Sequence, residues 1–243
     1  MRMSLIAIVK GFFRNAFGIR NNANVERRDD GCGVHPFPSR RERALSDIRR
    51  VRMLVQAAEA ESGGVANRGT SDSLRQLIPR LGELVSKQTG ESSVYWNAAE
   101  NAYYKVKSPS AKAYLKHTTE ADWPYEHVIH NILFPNTAYE LIAVARELGE
   151  LRVVLKQNCV SSETFPTDEE VAEFLKREHG LVPEDRYWFG NELLAITDVG
   201  AKGDNVLKDD NGNLFFIDPL IRLKYSALDV IERLTTAASR REV

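Results

Sequence analysis

Cysteine is scarce in this sequence: 243 residues hold two, Cys32 and Cys159, far apart in the chain. That excludes a disulfide-built scaffold, matches no metal-ligand spacing and gives no sign of an oxidising compartment. Long apolar runs are missing too, and none approaches the roughly 18–20 residues of a membrane span. The first twenty residues, MRMSLIAIVKGFFRNAFGIR, contain no acid. Their apolar core, LIAIV, is too short for a secretory signal, and no convincing small-residue cleavage site follows. The sequence has no internal repeat.

What is present is ordinary for a globular chain, with 43% hydrophobic and 28% charged residues. The net charge of −1 is unevenly spread. Residues 1–60 carry 12 Lys+Arg against 6 Asp+Glu, a balance of +6; the remainder carries 21 against 28, a balance of −7. The acidic remainder argues against a broad nucleic-acid surface, while the basic start leaves a local contact with phosphate or an acidic partner open. On a helical wheel of residues 1–20, Leu5, Ile8, Val9, Phe12, Ala16 and Ile19 cluster, with Lys10, Arg14 and Asn15 mostly opposite. Such a helix can lie on an anionic membrane, dock on a partner or cover the protein's own apolar surface.

Residues 21–42 read as a polar loop. A helix is expected over RERALSDIRRVRMLVQAAEAE, and a second over SLRQLIPRLGELVSKQ, kinked or divided at Pro79. From Gly90 the texture turns to β, with SSVYW, NAYYKVK, AYELIAVAREL and LRVVLKQNCV. Between the second and third of these lies the helical WPYEHVIHNIL, with Asp122 as its expected N-cap. TDEEVAEFLKREHG predicts a helix that starts at Thr167 and ends at Gly180. NELLAITDV, a hairpin and a terminal helix, ALDVIERLTTAAS, complete the chain. This order predicts an α+β fold: a mostly antiparallel sheet carrying one crossing helix, joined to a second, helical part.

The hairpin GDNVLKDDNGNLFFIDP has strand-like runs at Val206–Lys208 and Leu214–Ile217, separated by residues that tolerate positive φ. Folding back brings Asn205 and Asp218 to the same end of the ribbon. An amide oxygen and a carboxylate side by side can ligate Mg²⁺; a solvated hairpin with polar ends is the plainer alternative. Calcium fits poorly, because counting back from Gly212 as an EF-hand glycine puts Leu207 at the first ligand position.

Lys105 interrupts the apolar strand AYYKV, and alternation turns its side chain away from Tyr104 and Val106. Alone it is either a solvated edge residue or, if that face roofs a cleft, a phosphate ligand. Downstream come a helix with an acidic residue, VVLKQ, an aspartate, an asparagine and a last aspartate. That is the order of kinase phosphate-transfer parts.

On GESSVYW, YYKV, HNILFPNTAYELIAV, VVLKQNCV, ITD, NVL and NLFFIDP, the chain from Gly90 to Leu223 resembles the kinase-like domain of phage and mobile-element polyvalent proteins. More remotely it is similar to protein kinases and aminoglycoside phosphotransferases. The resemblance implies a minimal two-lobed protein-kinase-like fold over residues 81–224. A basic, mostly helical extension precedes it over 1–80, and a C-terminal helix follows over 225–243. It implies ATP and Mg²⁺ as ligands, with Asn205 and Asp218 holding the metal. Lys105 would contact the α/β-phosphates and Glu126, twenty-one residues on, would hold that lysine. Glu120 is the weaker candidate for that role. Gly90 through Val94 would close over the phosphates, and backbone groups around Gln157 would receive the adenine edge.

Two departures from the kinase pattern stand out. The position five before Asn205, where kinases keep the catalytic aspartate, is Gly200; the nearest upstream aspartate is Asp198, seven before. Either the loop carries a two-residue insertion, with Asp198 as the base, or the base is lost. Lys202, three before Asn205, stands where many protein kinases keep a phosphate-contacting lysine. The second departure is length: 25 residues follow Asp218, too few for an activation segment and a peptide-docking platform. The expectation is a cytoplasmic phosphotransferase with an unknown protein or small-molecule acceptor, the alternative a pseudokinase that binds nucleotide and regulates a partner. HNILFP reads as a structural signature fixing the helix exit, with His130 a hydrogen-bonded core residue and Phe134 in the core. Tyr187, Trp188 and Phe189 read as packing between the helical part and the loop, and His117 and His127 carry no readable role.

Overall fold

The computed structural model describes residues 39–62, 72–87, 92–108, 122–147, 150–160, 162, 164–185, 187–200 and 205–239. Gly90, Glu120, Lys202 and the basic segment 1–20 lie outside the described residues. Arg40–Val243 forms one compact unit.

A five-stranded antiparallel sheet, in the order β1-β2-β3-β5-β4, dominates the first part. It comprises β1 (Glu83–Lys87), β2 (Ser92–Asn97), β3 (Ala102–Lys107), β4 (Tyr139–Glu147) and β5 (Glu150–Asn158). Helix α1 (Arg40–Ser62) packs on β4 through Ala44, Ile48, Val51 and Ala58, which recur at helical spacing and are buried. The predicted second helix is only half helix. Helix α2 (Asp72–Leu77) passes into a 3₁₀ turn at Ile78–Arg80, and GELVSK, assigned from sequence to the same helix, supplies β1 instead. Pro79 stops the helix, and Gly82 turns the chain at φ +109, where a Cβ would meet the Trp96 carbonyl oxygen at 2.1 Å.

Strand alternation divides the sheet's two faces. Tyr104, Val106, Ala145 and Val154 pack with Leu74 and Leu81 on one side. Leu141, Val144, Leu151, Val153 and Leu155 join the main core on the other, where α3 (Glu126–Leu133) lies. A bulge between Leu141 and Ala143 re-phases β4. Asp122 does not cap the turn that leads into α3. Its carboxylate accepts instead from the Ala227 amide at 2.7 Å, capping α5 (Ala227–Ser239) from across the core.

The second part forms both helices that its sequence predicts. It holds α4 (Asp168–His179), capped by a Thr167/Glu170 capping box and closed by Gly180 at φ +64, as its residues predict. Around α4 lie short strands: β6 (Val182–Pro183), β7 (Phe189–Gly190), β8 (Leu194–Thr197) and β11 (Leu220–Leu223) make one sheet in the order β11-β8-β7-β6. The hairpin of β9 (Val206–Lys208) and β10 (Leu214–Phe216) makes another. The second part thus combines the two helices expected from its sequence with six short strands. Tyr187 is exposed rather than packed, and Trp188 stacks under the Arg222 guanidinium at 4.3 Å.

Candidate active site

The β9–β10 hairpin sets the geometry. Its turn is built by Asp209, whose Oδ1 accepts the Asn211 and Asn213 amides, and by Gly212 at φ +82. Past the strands, the Ile217 amide donates to the Asn205 carbonyl at 2.7 Å. Asn205 is thereby held one residue from Asp218, at the same end of the ribbon. Asn205 Nδ2 donates to the Asp198 carboxylate at 2.7 Å and to its carbonyl at 3.1 Å. Asp198, just past β8, adopts the left-handed conformation at φ +63.

Lys105 leaves β3 on the face opposite Tyr104 and Val106, and that face meets Asp218. Its ammonium donates to the Tyr139 hydroxyl at 3.0 Å and the Ile217 carbonyl at 3.2 Å, and stands 3.6 Å from Asp218 Oδ2. Lys107, two residues on and on the same face, makes the closer pair, 2.7 Å to Asp218 Oδ1. Tyr139 donates to the Ile217 carbonyl and lies 3.2 Å from Asp218 Oδ1. Burial alone would raise the Asp218 carboxyl, but the two lysine charges and the Lys107 hydrogen bond hold it well below the usual carboxylate range. Burial lowers the Lys105 ammonium to about 8 against the pull of Asp218.

Glu126 does not hold Lys105, as the sequence suggested. The partners of Lys105 are those just named, and Glu126 instead lines a small cavity of about 20 Å³ with Lys107, Asp218, His127, His130 and Trp123. Burial raises the Glu126 carboxyl to about 7, with Lys107 the principal charge opposing the rise. The alternation that turns Lys105 inward turns Lys107 inward too, and the second lysine was readable in YYKVK on that ground. Tyr139 carried no local signal.

At Gln157 the strand is flanked by Tyr103 on one side and Tyr139 on the other, and the pairing with β4 ends there. The Gln157 side chain donates to the Thr137 carbonyl at 2.8 Å and the Ile217 carbonyl at 3.2 Å, tying β5 to the turn that carries Asp218. Val94 is half-buried on β2, in register with Lys105. HNILFP does fix the exit of α3. Asn131 bonds both backbone groups of Tyr139, at 2.8 and 2.7 Å; His130 Nε2 meets the Phe216 carbonyl at 3.1 Å; and Phe134 stacks on Phe216 at 4.3 Å.

The hard oxygens of Asn205 and Asp218 suit Mg²⁺, which takes few protein ligands and completes its shell with phosphate and water. With Nδ2 committed to Asp198, Asn205 keeps Oδ1 for that purpose. Among the described residues no cluster of three or more His, Cys, Asp or Glu side chains could hold a metal by itself. Among them, too, no helix is long and apolar enough to cross a membrane.

Residues 75–225 match the family described as serine/threonine/tyrosine kinase found in polyvalent proteins. The chain belongs to this family. The match spans β1 through β11 and every residue of the site just described. No curated protein and no solved structure matches the chain.

Proposed function

We propose that this kinase-like chain is an ATP- and Mg²⁺-dependent phosphotransferase whose acceptor is a hydroxyl of a protein or a small molecule. The observation that carries the reading is the convergence of two lysines on Asp218, beside the backbone of Asn205. Asn205 and Asp218 would hold the metal. When bound, Mg²⁺·ATP supplies the transferable phosphoryl group and neutralises part of its charge. The lysines stabilise negative charge as it develops, and Asp198 orients or deprotonates the acceptor hydroxyl. Lys202 would add a further positive contact. Phosphoryl transfer asks mainly for positioning and electrostatics, which a chain this small can supply.

One observation favours a second reading, a nucleotide-binding module without transfer. One oxygen of the Asp198 carboxylate is engaged by Asn205. Incubation of the full chain with ATP labelled on the γ-phosphate, with and without Mg²⁺, separates the two. Mg²⁺-dependent label on the protein, on an added acceptor or in free phosphate, lost in Asp198→Ala with ATP binding retained, supports transfer. ATP binding without any label movement supports the binding module.

A further inference from the structure

Three strands of the β11-β8-β7-β6 sheet bring their ends to one place. Strand β8 leaves the sheet at Thr197 for Asp198. Strands β7 and β11, both antiparallel to it, arrive at that end from Tyr187-Trp188 and from Asp218-Pro219. Tyr187 and Asp218 therefore reach the end that carries Asp198 from opposite sides of β8. Two contacts fix Tyr187 there. Its carbonyl accepts from the hydroxyl of Thr197, one residue before Asp198, and its amide donates to Asp185 Oδ1 at 2.8 Å. The residue is nonetheless 64% exposed, so its backbone is held while the phenol stands at the surface.

Among the described residues one other tyrosine is exposed, Tyr225 at 46%. It follows β11 at the opposite end of the same sheet, under the Arg233 guanidinium. Tyr104 and Tyr139 are buried, and the Tyr139 hydroxyl donates to the Ile217 carbonyl. The Thr197 hydroxyl, next to Asp198 in the chain, donates to the Tyr187 carbonyl. We propose that Tyr187 is itself an acceptor of the phosphoryl group, modified within the same molecule. The inference rests on the phosphotransferase reading and names its acceptor as a phenol carried by the protein. In the step, the Tyr187 hydroxyl oxygen bonds to the γ-phosphorus of ATP as the bond from that phosphorus to the β,γ-bridging oxygen breaks. ADP leaves, and the phenolic proton passes to the Asp198 carboxylate. A tyrosine side chain is longer than an aspartate's, so from the neighbouring strand its hydroxyl can extend past that carboxylate. Attachment to the same chain makes the step unimolecular.

The test incubates phosphatase-treated full chain with Mg²⁺ and ATP labelled on the γ-phosphate, and locates modified residues by tandem mass spectrometry of its peptides. Phosphate is expected on Tyr187, at a rate per molecule that does not change when the protein is diluted. Tyr187→Phe keeps the ring and removes only the hydroxyl, and it should remove most of the label from the protein. Tyr225→Phe should leave the label unchanged, and Asp198→Ala should abolish it. Label on an added acceptor, on other hydroxyls or in free phosphate, with Tyr187 unmodified, overturns the inference and leaves the phosphotransferase reading standing. A rate per molecule that falls in proportion to dilution puts site and acceptor on different molecules and overturns modification within one chain. ATP binding with no label moved to any acceptor or to free phosphate overturns both readings.

Discussion

Lys107 donates to Asp218 at 2.7 Å, and both residues border the cavity onto which Glu126 also faces. The carboxylate that would hold a metal is thus already charge-compensated by the protein.

Asp218→Ala removes the anion that offsets Lys105, whose side chain is 6% exposed. An uncompensated buried charge is costly, and the variant should lose roughly 3 kcal/mol of stability. Urea unfolding measures this, and Lys105→Met in the same chain should recover part of it. Equal stability of wild type and Asp218→Ala would mean that Lys105 is not committed as described.

Asn131→Ala leaves the Tyr139 amide and carbonyl without the side chain that satisfies both. A loss of roughly 2–4 kcal/mol is expected from two part-buried backbone groups. The same unfolding experiment checks it, with Asn131→Asp as the variant that keeps the acceptor.

Glu126 predicts a pH signature. Its folded pKa, about 7, lies above the ordinary 4.5, so its protonated form is favoured by folding. The associated stability is full below pH 4.5 and is lost as pH rises through 7. The wild type should therefore lose up to about 3 kcal/mol relative to Glu126→Gln across that window, in buffer containing EDTA. Comparison with Glu126→Gln cancels most of the opposing contribution of His127 and His130, whose lowered pKa values cost stability as pH falls. A flat difference between the two proteins from pH 4.5 to 7 would contradict the assignment.

Local rules carried the sequence far where a residue's surroundings are set by its neighbours in the chain. The capping box at Thr167, the turn at Gly212 and the inward side of Lys105 all follow from short-range geometry. ELVSK failed because five residues beyond a proline have no period that separates helix from strand, and the strand exists only by pairing with β2. That Lys107 rather than Lys105 shares the cavity with Glu126 was missed for a related reason. Counting along the chain relates Glu126 to Lys105 and Lys107 almost equally, and the choice is made by which ammonium the Ile217 carbonyl and Tyr139 enclose. Asp122 illustrates the same limit: its carboxylate caps a helix 105 positions away in the chain.

Calorimetric titration of ATP into the full chain, with Mg²⁺ and with EDTA, tests the central claim most directly when wild type and Asp218→Asn are compared. The account predicts that the wild type binds more tightly with Mg²⁺, and that Asp218→Asn binds ATP equally with and without the metal. No binding to the wild type, or a Mg²⁺ enhancement undiminished in Asp218→Asn, would contradict it.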